Sequence, residues 1–275
     1  MDQNNVVRNN LWTTIIELFG LVLITKYARL SIMYLCECAQ YGNVAKFFQL
    51  LSSYIVSTLI VLLYVKYGER RTITSMGFST SGWVKSYMQG AIMGILLISC
   101  VAFLSAIFGE IEYNSINKSF SLMPFMAALF LSIINIREEV IFRGWFLTTP
   151  YSTENPIRAI VVGSVIFGVI HLGNANVTAL SILNLMLFSV LLSEIFLIFK
   201  NIWIVAAIHT MWNFTQGKIL GLPISGIQAN VSLFDFDIVP NSLTGGFGLE
   251  ANIFTLIILI IAVIITTKKI VYLYR

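Results

Sequence analysis

Apolar residues along this chain fall in eight runs, most of them near the length that crosses a hydrocarbon core of about 30 Å. They span Leu11 to Thr25 with a continuation toward Leu35, Phe47 to Val65, Met88 to Phe108 and Leu122 to Leu147. The others are Ile157 to His171, Val177 to Phe199, Ile202 to Phe214 and Ile253 to Thr267. Run length and glycine content predict helices, since a membrane barrel would show short strands of alternating character. Asn155-Pro156 reads as an N-cap followed by proline at the first helical position, which starts the fifth helix there. No repeat, low-complexity stretch or linker divides the sequence. The reading is therefore all-α: a polytopic transmembrane helical bundle of about eight helices, forming one integral membrane domain over 1–275.

Composition supports this class. Hydrophobic residues make up 57% of the chain and charged residues 11%, against about a quarter charged in a soluble domain. The net charge of +4 raises nucleic acid as a partner, but the cations sit at the ends of apolar runs, where topology signals lie, and not on a phosphate-binding face. Nucleic acid is set aside, and the lipid bilayer is the expected surrounding. Lys66, Arg70, Arg71, Lys85, Arg143, Arg158, Lys200, Lys268, Lys269 and Arg275 fall on one side of an eight-span chain. Glu110, Glu112, Asp235 and Asp237 fall on the other. A multi-pass cell-membrane protein with both termini cytoplasmic follows, although Lys26, Arg29 and Lys46 run against it. Arg8 precedes an apolar stretch with no small-residue cleavage site, so the first helix is expected to be retained. Cys36, Cys38 and Cys100 give an odd count without Cys-x-x-Cys spacing. That argues against a disulfide framework or a thiolate metal site.

Ionisable groups at the centre of a membrane helix cost at least about 2.5 kcal/mol each for Asp, Lys or Arg, so their presence needs a reason. Segment four holds Arg137-Glu138-Glu139 and Arg143; segment five ends at Phe167 and His171; segment seven holds His209 and Asn213. His171 and His209 are the chain's two histidines. Glu139 and Arg143 are four apart on one helical face, where they can pair, and His209 and Asn213 share a face in the same way. Counted from the cytoplasmic helix ends, Glu138 lies roughly 14 Å deep, His209 roughly 13 Å and His171 roughly 21 Å. Three helices can thus bring a carboxylate pair, two imidazoles and an amide to a common layer. Glu17 and Glu194 lack a helical partner and read as snorkelling groups or interhelical contacts.

These elements, in this order, resemble the CAAX-protease and bacteriocin-processing family of intramembrane proteases, often abbreviated CPBP (Abi-type). The family pattern is Glu-Glu-x-x-x-Arg, then Phe-x-x-x-His, then His-x-x-x-Asn. Here it is complete in Glu138, Glu139 and Arg143; Phe167 and His171; His209 and Asn213. Met76-Gly77-Phe78 with Trp83, Asn213 to Gly217, and Thr244 to Gly248 with Glu250 are similar as well, so the resemblance covers about 76–252. It implies a glutamate-type endopeptidase that hydrolyses peptides or membrane-protein segments near the cytoplasmic side without an obligatory metal or other cofactor. By motif position, Glu138 with His171 would activate a water, and His209 and Asn213 would form the oxyanion hole. Glu139 and Arg143 would support the helix and tune Glu138, with Phe167 also in support. The residues alone do not separate Glu138 from Glu139 as the base.

Three other readings stand beside it. Two histidines and a glutamate can hold zinc with a water in the fourth position, the ligands then being Glu138, His171 and His209. The chain could be a catalytically inactive membrane scaffold or regulator, as in bacteriocin immunity, but costly buried charges argue against a pure scaffold. Buried Glu and His could also relay protons in a transporter, yet no inverted repeat or pair of broken helices is visible. An Asn-, Ile- and Lys-containing chain with short loops has a bacterial character, which disfavours prenylated substrates. The sequence names neither substrate nor oligomeric state.

Overall fold

The structure, a computed structural model, describes residues 10–37, 43–118, 120–134, 136–228, 232–240, 242 and 244–273. Arg8, Cys38, Arg275 and the side chain of Cys36 lie outside the described residues; Cys100 is an exposed free thiol. The chain is helical, as the apolar runs predict. Four helices, Ala45–Gly68, Trp83–Ile107, Ala179–Phe199 and Ile253–Leu273, are long and apolar enough to cross a membrane. The described residues divide into two compact units, one of 1–78 with 134–160 and one of 79–133 with 161–275.

The first unit packs α1 (Leu11–Glu37) against α2 (Asn43–Leu63), which widens into a π-helical turn at Tyr64–Gly68. Gln49 Nε2 donates to Met33 O at 2.6 Å, a polar tie between the two helices. The Arg29 guanidinium lies over the Tyr54 ring, 5.7 Å from its centroid, a cation–π contact for this off-pattern cation. Segment four departs from expectation. It is not one helix: α4 (Leu122–Ile134) stops, and a new start at α5 (Arg137–Glu139) runs into a π-helical turn, Val140–Trp145, and a 3₁₀ turn, Phe146–Thr148. The apolar run continues past the break, and apolar periodicity does not mark where backbone hydrogen bonds change register. Pro156 does open α7 (Pro156–Val169), after the short α6 (Pro150–Glu154). The Asn155 side chain, though, donates back to Tyr151 O at 3.2 Å.

The second unit is built around α9 (Ile202–Phe214). The helix α3 (Trp83–Ile107) lies against it so closely that a Cβ on Gly90 would stand 2.2 Å from Ile204 O, and one on Gly94 2.4 Å from Ile208 O. Both helices advance together along the contact, so they run parallel. Small residues four apart allow such backbone approach where apolar burial gains little over lipid. Gly94→Leu is therefore expected to force α3 off α9 and cost about 1–3 kcal/mol in thermal unfolding. Gly20→Leu, with nothing within 4 Å of its Cβ, should leave the melting curve unchanged. Equal melting of the two variants would refute the close-packing account.

The helix α8 (Ala179–Phe199) opens with a capping box between Thr178 and Ser181 and ends at Lys200, φ 50°. Asn201 then caps α9 through Trp203 N–H at 2.9 Å, so two residues join antiparallel helices. The last helix, α10 (Ile253–Leu273), packs along α8. Glu194 accepts from Thr267 Oγ1 at 2.7 Å and also from Thr266 Oγ1. This is the interhelical role expected of Glu194, whereas Glu17 is exposed on α1. One feature lies outside the all-helical reading: β1 (Ile111–Ile116) pairs antiparallel with β2 (Phe234–Ile238). The alternation Phe234-Asp235-Phe236-Asp237-Ile238 is the period-two signal for it.

Candidate active site

In the first unit, the glutamate motif sits where helical register changes. Arg143 Nη1 donates to Glu139 Oε1 at 3.0 Å, with side-chain exposures of 0% and 2%. The i,i+4 pair expected from spacing thus forms, and forms fully buried. Glu138 is only half-buried and accepts from Arg137 Nη2 at 3.0 Å. Arg137 in turn donates to Thr25 Oγ1 of α1 at 3.2 Å. The two glutamates are therefore not equivalent. Glu139 is locked inside, while Glu138 stands nearer the surface beside a guanidinium. Arg137, which adjoins the glutamates in sequence and lies outside the motif pattern, is thus the partner of Glu138. Trp145 Nε1 donates to Glu69 Oε1 at 2.7 Å and fixes the far end of the π-helical turn.

In the second unit, both histidines, Phe167 and Asn213 line one cavity of about 350 Å³, counted with its open mouth. The Phe-x-x-x-His spacing has a direct physical reading here. His171 lies two residues past the end of α7, and its backbone N–H goes to Gly168 O. The ring instead reaches back, Nδ1 to Phe167 O at 2.7 Å, and serves a helix-terminal carbonyl. A carbonyl oxygen can only accept, so Nδ1 carries the hydrogen. In the neutral ring Nε2 then holds the lone pair and is the basic atom. The expectation that both histidines lie within helices is corrected for His171: leaving the helix is what lets its side chain cap it.

The Phe167 ring stands between the imidazoles, 4.9 Å from His171 and 6.3 Å from His209, centroid to centroid. Phe188 of α8 meets His209 edge-on at 5.4 Å and packs on Trp212 at 5.0 Å. His209 and Asn213, four apart on α9, both border the cavity and are half-buried. Asn184, Ser225 and Glu250 also line it, and no motif reading had included them as site residues. The cavity lies at the end of α9 remote from Lys200, among the loops that precede α8 and α10. Among the described residues no three His, Cys, Asp or Glu side chains have the arrangement of a metal site.

Residues 118–215 match the family model described as type II CAAX prenyl endopeptidase Rce1-like. The matched stretch contains all three motifs, from Glu138 to Asn213. This agrees with the resemblance to the CAAX-protease and bacteriocin-processing family: the matched region is similar to a family of endopeptidases, hydrolases acting on peptides. No curated protein and no solved structure matches the chain.

Proposed function

We propose that the chain is a glutamate-type intramembrane endopeptidase in which Glu138 and His171 activate a water and His209 with Asn213 form the oxyanion hole. The observation that supports it best is the single cavity bordered by His171, His209 and Asn213, with His171 held in the tautomer that leaves Nε2 basic. The water gives its proton to Glu138 while His171 Nε2 accepts its other hydrogen bond, and its oxygen attacks the scissile carbonyl carbon. As the C–O bond forms, negative charge moves onto the carbonyl oxygen, where His209 and the Asn213 amide donate hydrogen bonds. When the C–N bond breaks, the leaving amine takes the proton that the base received. Glu138 enters by its motif position, and its partner Arg137 keeps a guanidinium beside it.

Peptides, including segments of membrane proteins, are the substrate class. The test compares cells carrying the parent chain with cells carrying Glu138→Gln, by mass spectrometry of membrane and secreted peptides. At least one fragment present with the parent should vanish in the variant at equal protein level. Identical fragment inventories, together with no cleavage by purified protein in lipid nanodiscs, would refute the reading.

A further inference from the structure

The cavity wall contains a third ionisable side chain that the three motifs leave out. Glu250 is 5% exposed and sits in the short turn Leu249–Ala251 that leads into α10. Its Oε1 accepts from Ser225 N at 3.0 Å and from Ser225 Oγ at 3.2 Å, and its Oε2 accepts from Gln216 Nε2. Its main-chain oxygen accepts from Asn184 Nδ2 at 2.8 Å, and the same amide serves Asn252 O at 3.0 Å. One residue thus joins α8, the end of α9 and the loop carrying Ser225.

Gln216 makes this consequential. It follows His209 by seven residues and Asn213 by three, on the stripe that helical periodicity assigns to one face. Gln216 Nε2 also donates to Pro223 O at 2.5 Å, so its amide orientation is fixed and Glu250 Oε2 can only accept. The backbone is shaped for this contact. Gly248 has φ +107°, and a Cβ there would stand 2.1 Å from Pro223 O, 2.7 Å from Gln216 Nε2 and 2.9 Å from Glu250 Oε2. A buried carboxylate held by neutral donors alone is costly, and a cost retained beside a site of polar side chains calls for a use.

We propose that Glu250 is a positioning residue of this cavity: its ionised carboxylate draws Ser225 and Gln216 together and so sets His209 and Asn213 toward the carbonyl they would bind. The role rests on the peptidase reading for its purpose, and on the contacts above for its geometry. Burial pushes the Glu250 carboxyl up to about 6 in spite of the bonds from Gln216 and Ser225. A folded value above the unfolded one means that the fold favours the neutral acid. Stability from this group is therefore full below pH 4.5 and declines as pH rises through the window to about 6. Positioning has the opposite sign, because three donors need the anion. His171 and His209 are the other titratable side chains that line the cavity.

The test needs no substrate. Protein labelled with ¹⁵N-histidine in nanodiscs gives signals from two residues only, assigned through His171→Gln. At pH 7.5, Glu250→Gln should keep or raise the melting temperature yet move the His209 ring nitrogens. If Glu250→Gln does not fold, Glu250→Asp, which keeps the charge on a shorter arm, should move them as well. Unmoved His209 signals in the folded variant would overturn the proposal. With a substrate in hand, kcat of Glu250→Gln should fall roughly tenfold with KM nearly constant, the size typical of removing an orienting partner. The acidic limb near pH 6 should flatten with it. A parent chain that cleaves nothing would count against the peptidase reading, while the ring signals would still decide for or against Glu250.

Discussion

Arg143→Met should cost the first unit about 3–5 kcal/mol and deplete folded protein from membranes. The reason lies in what remains after the substitution. Glu139 is 1% exposed, and the guanidinium that met it at 3.0 Å is gone. The carboxylate then stays buried without that guanidinium, where it must take up a proton or draw in water, and either costs the fold. Glu139→Gln combined with Arg143→Met should recover most of the stability, since replacing both charges removes the burial penalty together with the attraction. Thermal unfolding of the single and double variants in nanodiscs measures the difference. A double variant no more stable than Arg143→Met would show that the pair is not what holds this turn.

The sequence made the helices and the paired residues legible for separate reasons. Eight apolar runs can be seen because the bilayer leaves few alternatives to a helix of about twenty residues. Glu139 with Arg143, Phe167 with His171 and His209 with Asn213 can be seen because a spacing of four is itself a contact rule. The helix break before Arg137 does not show in the run length, because apolar residues resume at Val140 after the charged Arg137-Glu138-Glu139. Gly90 and Gly94 carry a small-residue spacing that could have located the α3–α9 contact. Glu250 is the instructive omission. It lies 37 positions beyond Asn213, joined to Gln216 by loops whose path no periodicity describes. The available hints were its place beside Thr244 to Gly248 in the family resemblance, Gln216 on the His209 stripe, and a glycine two residues before the glutamate. The two strands are hard to read because five residues of strict alternation give a far weaker signal than apolar runs near twenty.

His209→Ala and Asn213→Ala should each lower kcat by about 10²–10³, the loss typical of one oxyanion-hole donor, while folded yield stays near that of the parent. Both residues are half-buried at the cavity, so neither substitution opens a large void in a packed core. Phe188 and Trp212 pack on one another at 5.0 Å without them. The donors act on charge that appears only as the carbonyl is attacked, so KM should change little. The double variant should lose less than the product of the two single losses, because groups that grip one oxygen act as a unit. His171→Ala should fall further, since it removes the basic Nε2 and also leaves Phe167 O without the ring that serves it. A scaffold that binds a partner through its surface predicts a different pattern. All three variants would keep the cellular phenotype, and a chain whose phenotype survives them would not be using this cavity for chemistry.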